Sequence, residues 1–162
     1  MVIARTWRKN SRPAARGFTL VELLLVIAIL AILAGIGMPY LGNFIANHSV
    51  KSASFDIYST LVYARSEAIT RNGSVTVTPV GGNWASGWTV TENATGTTLR
   101  TQSANNGITM TGPGSVIYLG MGRLSAAVTS FSLTAPGVNN ANSRCVSIDL
   151  SGRPVTQQGV CP

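Results

Sequence analysis

The apolar positions of this chain change period twice. From Phe18 to Met38 they form a nearly continuous run, FTLVELLLVIAILAILAGIGM, 21 residues with one charge, Glu22. At 1.5 Å per residue a helix of that length measures about 31 Å, enough to cross a bilayer core of about 30 Å. Pro39 follows Gly35 and Gly37, where a helix can continue but with a kink or a loosened turn.

From Leu41 to Asn72 the run gives way to an amphipathic pattern. Phe55, Tyr58, Leu61, Val62, Ala68 and Ile69 fall at three- and four-residue steps, with Lys51, Arg65, Glu67 and Arg71 mostly between them. This spacing predicts a helix packing those six residues on a core, with Arg65 and Glu67 on a solvated face. Asn72-Gly73 is a stop signal, since both residues tolerate the left-handed conformation at a helix end. After Gly73 the period falls to two. Ser74–Val80, Trp84–Thr91, Thr97–Thr101, Ile108–Thr111, Ser115–Leu119, Ser130–Thr134, Cys145–Leu150 and Pro154–Gln157 are strand candidates separated by Gly-, Asn- and Pro-rich turns. Short strands with closely spaced turns predict antiparallel sheet. Trp84 and Trp88 would share one face of a regular strand, with core packing expected ahead of a base-stacking platform.

Charge changes the picture only by position. The net charge is +7, but Arg5, Arg8, Lys9, Arg12 and Arg16 all precede residue 17, where no acid occurs. From Phe18 onward seven bases stand against five acids, a balance of +2. The basic excess therefore belongs to the N-terminal segment, which it holds on the cytoplasmic side of a membrane, and does not mark the rest as a polyanion binder. Cys145 and Cys161 are the two cysteines; behind an export signal they are expected as a disulfide. Two cysteines and His48, far away on a helix, do not supply four ligands at zinc spacing. Gly112-Pro113-Gly114 and Gly120-Met121-Gly122 lack the full spacing of nucleotide loops. Five scattered acids offer no pair for acid–base work. Neither an enzyme nor a bound cofactor or metal is expected.

The basic start and apolar run also suit an ordinary secretory signal cut after Ala34, but the run exceeds an ordinary h-region and carries an acid. Arg16-Gly17-Phe18-Thr19-Leu20-Val21-Glu22-Leu23-Leu24 resembles instead the prepilin signal. That resemblance implies cleavage by a membrane peptidase between Gly17 and Phe18 and N-methylation of Phe18. It also gives Glu22 the role of neutralising the terminal amine of a neighbouring subunit. A carboxylate inside a bilayer costs about 2.5–3.5 kcal/mol on insertion scales, so a partner is expected on physical grounds too.

Further along, Ala64-Arg65-Ser66-Glu67-Ala68-Ile69 running into SVTVTPV, the segment Gly82-Asn83-Trp84-Ala85-Ser86-Gly87-Trp88, and Cys145–Arg153 resemble the GspH/FimT family of minor pilins and pseudopilins. The resemblance implies an α+β, pilin-like fold: a long kinked N-terminal helix, its first half membrane-spanning, packed on antiparallel sheet. Its segments would be a cleaved leader (1–17), a transmembrane assembly helix (18–40) and a periplasmic or extracellular head (41–162). The implied function is that of a minor pilin at the tip or initiation complex of a type IV pilus, moving from inner membrane to filament. Implied partners are the prepilin peptidase, the major pilin and other minor pilins. Two other readings stay open: DNA reception for uptake, and a pseudopilin of type II secretion. Double-stranded DNA would be held without sequence preference by Arg153, Arg144 and Arg123, although Val155 stands where DNA-binding relatives carry a second base after Gly-Arg.

Intact-mass analysis of the membrane-extracted protein should show a chain beginning at Phe18 with one added methyl group. A mature N-terminus at Gly35 would mean an ordinary secretory signal.

Overall fold

The computed structural model describes residues 17–162, the side chains of residues 36–40 apart. The leader segment 1–16 lies outside the described residues. The chain divides into two compact units at Met38/Pro39. A single helix, α1 (Leu20–Arg71), contributes to both. Pro39, where a kink is expected, is carried within this helix, and its side chain is outside the described residues.

Both ends of α1 are capped by local sequence. Thr19 is the N-cap: its Oγ accepts from the Glu22 backbone N–H (3.2 Å), while Glu22 Oε2 accepts from the Thr19 backbone N–H (3.3 Å). That reciprocal pair is a capping box, which satisfies two orphan donors of the first turn. At the far end Asn72 adopts φ 48°. Its N–H donates to Ile69 C=O and the Gly73 N–H donates to Ala68 C=O, both at 3.1 Å. This is the Schellman arrangement.

In the first unit the side chains of the apolar run are exposed, from Phe18 (81%) to Leu33 (60%). Among the described residues no helix is long and apolar enough to cross a membrane.

In the second unit the strands divide into two antiparallel sheets of four. The first has the order β3-β2-β1-β5, from β1 (Val75–Pro79), β2 (Trp88–Glu92), β3 (Thr98–Gln102) and β5 (Val116–Tyr118). The second has the order β4-β6-β7-β8, from β4 (Thr109–Thr111), β6 (Phe131–Thr134), β7 (Arg144–Ile148) and β8 (Pro154–Gln158). Each expected strand appears, most with their ends moved by a residue or two, and one starts four residues late. Trp84–Ser86 is a 3₁₀ turn, and β2 begins only at Trp88. Gly87 between them has φ 97°, and a Cβ there would strike the Gln102 carbonyl; only glycine makes that corner. The two tryptophans therefore do not alternate along a strand. They sit 6.1 Å apart, and Trp84 meets Phe131 of the second sheet edge-on at 4.8 Å, an arrangement aromatic rings favour. Trp84 also donates to Pro113 C=O (2.7 Å), so one side chain from the first sheet's connection fastens the second. Both rings are buried, which removes them as a surface for bases.

The helix seats on these sheets through Val50, Ala53, Ile57, Leu61, Ala64 and Ala68, all fully buried. Their steps of three and four follow the helical period. This corrects the expected stripe. Leu61 and Ala68 belong to the core, but Phe55 is 67%, Val62 43% and Ile69 51% exposed, and Tyr58 is half-buried. Phe55, Val62 and Ile69 are spaced by sevens along a neighbouring face. The polar Thr60 is buried too, and its hydroxyl accepts from Trp88 Nε1 (3.1 Å).

Leu61→Ala should therefore destabilise the protein by about 2–5 kcal/mol through lost burial and a cavity, whereas Val62→Ala should fall within about 0.5 kcal/mol. Chemical denaturation of the detergent-solubilised protein measures both; equal losses would refute the seating described.

Candidate functional site: the N-terminal turn and the C-terminal hairpin

Two regions carry the residues singled out from the sequence. The first is the N-terminal turn. Gly17 and Phe18 are exposed and precede the helix. Glu22 lies one turn inside it, with its carboxylate directed back at Thr19. That position places a negative charge against the positive end of the helix dipole, which is favourable by about 0.3–1 kcal/mol at an exposed site. The carboxylate is thus held within one turn of the atom that becomes the terminal amine if the chain is cut after Gly17.

The second region is the β7–β8 hairpin. Cys145 of β7 is joined to Cys161, with Cα atoms 5.1 Å apart. β7 and β8 pair from Arg144↔Gln158 to Ile148↔Pro154. The turn between them is organised by Asp149, which accepts from the Ser151 hydroxyl and the Arg153 backbone N–H (3.0 Å). These bonds, the Ser151 hydroxyl first, stabilise the charged form and lower the Asp149 pKa below its usual value.

The three arginines proposed for DNA separate into two places. Gly152 (φ 81°) comes so close to the Gly122 carbonyl that any Cβ would strike it. Arg153 and Arg123, the next residues, are consequently brought to one locality, and both are exposed. Arg65 joins them: its Nε donates to Gly122 C=O (3.0 Å). Arg65 is thus a tether between helix and loop rather than part of a solvated face. Glu67 likewise pairs with Arg71 (2.8 Å), which also reaches Glu92 (3.2 Å). Beneath the contact lies Tyr118, whose buried hydroxyl has no hydrogen-bond partner among the described residues. Burial raises its pKa, with the Arg65 charge opposing. Arg144 lies at the other end of β7 and faces Lys51, Phe55 and Tyr58 of α1 across a cavity. Sequence reasoning missed the Gly122–Gly152 contact; the paired signals were the two Gly-Arg dipeptides at 122–123 and 152–153.

His48 is an exposed helix residue near Phe44. Among the described residues no group of three or more His, Cys, Asp or Glu could hold a metal ion.

The family described as "Type II transport protein GspH" matches residues 53–152. This chain belongs to the GspH family. The prokaryotic N-terminal methylation motif matches residues 12–38, which span the leader junction and the apolar run. Crystal structures of the type IV minor pilin FimU of Pseudomonas aeruginosa PAO1 share the fold. One, in space group P21, superposes with a TM-score of 0.60 at 20% identity, covering 74% of this chain and 92% of that one. The other, in P65, gives 0.57 at 22% identity, covering 66% and 91%. The chain is accordingly a minor pilin or pseudopilin of the GspH/FimT kind, with the α+β pilin fold. GspH-family proteins are structural pilin-type subunits of a surface pilus or a periplasmic pseudopilus. The methylation motif implies processing by a prepilin peptidase and assembly with other pilins.

Ser151→Ala should raise the Asp149 titration midpoint towards 3.8, its ordinary value, read by NMR. The sign follows from linkage. A depressed folded-state pKa gives stability that is present above the unfolded value and lost as pH falls through the folded one. An unchanged midpoint would show that the backbone bond from Arg153 alone sets it.

Proposed function

We propose that this chain is a minor pilin of a type IV pilus, working at the tip or initiation complex. After cleavage between Gly17 and Phe18 and methylation of Phe18, its apolar helix holds it in the inner membrane. Assembly then moves that helix into a filament core shared with the major pilin and other minor pilins. Either environment removes the same apolar surface from water. The observation that carries this reading is the Thr19–Glu22 box. It fixes the only acid of the apolar run beside the new terminus, where it can meet the amine of an adjacent copy or partner subunit. The likeness to FimU supports a pilus over a secretion pseudopilus.

A second reading, DNA reception, has one observation in its favour: the Gly122–Gly152 contact gathers Arg123, Arg153 and Arg65. Arg144 stands apart from that group. Binding there would be sequence-independent and would weaken steeply with salt through counterion release. Arg153→Ala and Arg123→Ala should each weaken binding of a duplex probe at low ionic strength more than Lys51→Ala does. Duplex binding indifferent to both arginines would move the site elsewhere.

The Glu22 role separates into cap and charge. Glutamine at the third position of a capping box keeps the cap but removes the negative charge. Glu22→Gln and Glu22→Ala should both leave membrane insertion intact, since a neutral residue makes the helix more apolar. Both should abolish incorporation into sheared filaments. Full incorporation of the glutamine variant alone would show that the cap, and not the charge, is what assembly needs.

A further inference from the structure

A cavity of about 230 Å³ opens between α1 and the β7–β8 edge, lined by Lys51, Ser54, Phe55, Tyr58, Arg144 and Thr156. Its helix residues, Lys51, the pair Ser54–Phe55 and Tyr58, recur at steps of three and four and form one wall. Arg144 and Thr156 form the other: Arg144 pairs with Gln158 and Thr156 with Val146. Alternation along the strands puts these side chains on the face of the hairpin that meets the helix.

The chemistry of the lining is one-sided. Two cations face the cavity and no acid lines it. Neither Lys51 nor Arg144 is in an ion pair among the described residues, whose recorded pairs both belong to Arg71. Arg144 Nε is buried and has no acceptor, and a buried donor left unmade is costly. Phe55, 67% exposed although large and aromatic, and Tyr58 supply apolar walls. Ser54 does not accept from Arg144 Nε; its hydroxyl donates to Lys51 C=O (2.7 Å).

We infer that this cavity is a binding site for a carboxylate on an apolar stem, presented by a polypeptide partner. The anion would accept from Arg144 and pair with Lys51, while the stem lies against Phe55 and Tyr58. A charge-assisted bond to a guanidinium is among the strong hydrogen bonds. The concavity suits one inserted side chain or chain end, not a duplex, whose phosphates lie on a convex surface. The choice of a protein partner rests on the filament reading, in which neighbouring subunits approach α1; the anion site itself does not. Solution binding to small probes tests the site without any filament, so its failure is distinct from failure of that reading.

The experiment is an NMR titration of the detergent-solubilised full chain, following the Phe55 and Tyr58 rings. Four probes are compared: acetyl-Leu-Glu-Leu-amide, its glutamine counterpart, acetyl-Leu-Leu with a free C-terminal carboxylate, and a short oligothymidylate. The glutamate peptide should shift both rings saturably and bind about tenfold more tightly than the glutamine one, the scale of one charged hydrogen bond. Stronger binding of the free-carboxylate peptide would identify a chain terminus as the source of the anion; stronger binding of the glutamate peptide, a side chain. Lys51→Met and Arg144→Gln should each erase the preference for charge. Because Lys51 is exposed, its variant keeps the test valid if the Arg144 variant fails to fold. Equal binding of the glutamate, glutamine and free-carboxylate peptides overturns the inference, as does absence of shifts with every probe. Tighter binding of oligothymidylate through the same rings also overturns it, in favour of nucleic acid.

Discussion

One buried stripe on α1 holds the head together. Val50, Ala53, Ile57, Leu61, Ala64 and Ala68 are all fully buried, and the two sheets share no strand. The sheets are joined through this stripe and through the aromatic contact of Trp84 with Phe131. Three of the six stripe residues are alanines, set between the larger Val50, Ile57 and Leu61. Trp88 is buried with them, and its indole N–H donates to the Thr60 hydroxyl of the helix. A tryptophan is buried at low cost only when that donor is matched. The tether from Arg65 to Gly122 then fixes the loop against which Gly152 packs, so the position of the C-terminal hairpin also depends on the seating of the helix.

Much of this was legible in the sequence because the physical signals were local. The stop at Asn72-Gly73, each strand after it, and the pairing of Cys145 with Cys161 follow from turn residues, alternation and cysteine count. What was misread depended on tertiary choice. Two stripes of α1 have helical spacing, one of Phe55, Val62 and Ile69 and one in which Val50, Ile57 and Leu61 are interspersed with Ala53, Ala64 and Ala68. Periodicity cannot rank them, and the stripe that is buried is the one holding the three alanines. Trp84 was read into a strand because alternation does not register the corner that Gly87 makes. The place of Arg144 was hidden for another reason: it meets Lys51 only once β7 and α1 are side by side, and no local pattern links them. The leader junction lies at the opposite extreme, since the N-terminal methylation motif is a pattern of sequence alone and matches residues 12–38.

The two stripes explain how one helix can serve both a stable head and an assembly. The stripe from Val50 to Ala68 is consumed by the head. The apolar run and the stripe of Phe55, Val62 and Ile69 stay exposed, and large exposed apolar surface on a protein marks an interaction site. In the proposed filament these are the surfaces that neighbouring subunits cover, and Glu22 at the capped start sets the register at which they do so.

The most direct test of this division is thiol labelling of a Val62→Cys variant, since both natural cysteines are tied up in their disulfide. The account predicts rapid reaction with a maleimide in the membrane-held protein and strong protection in sheared filaments. Equal reactivity in the two states would contradict it, because the stripe of Phe55, Val62 and Ile69 would then face solvent even after assembly.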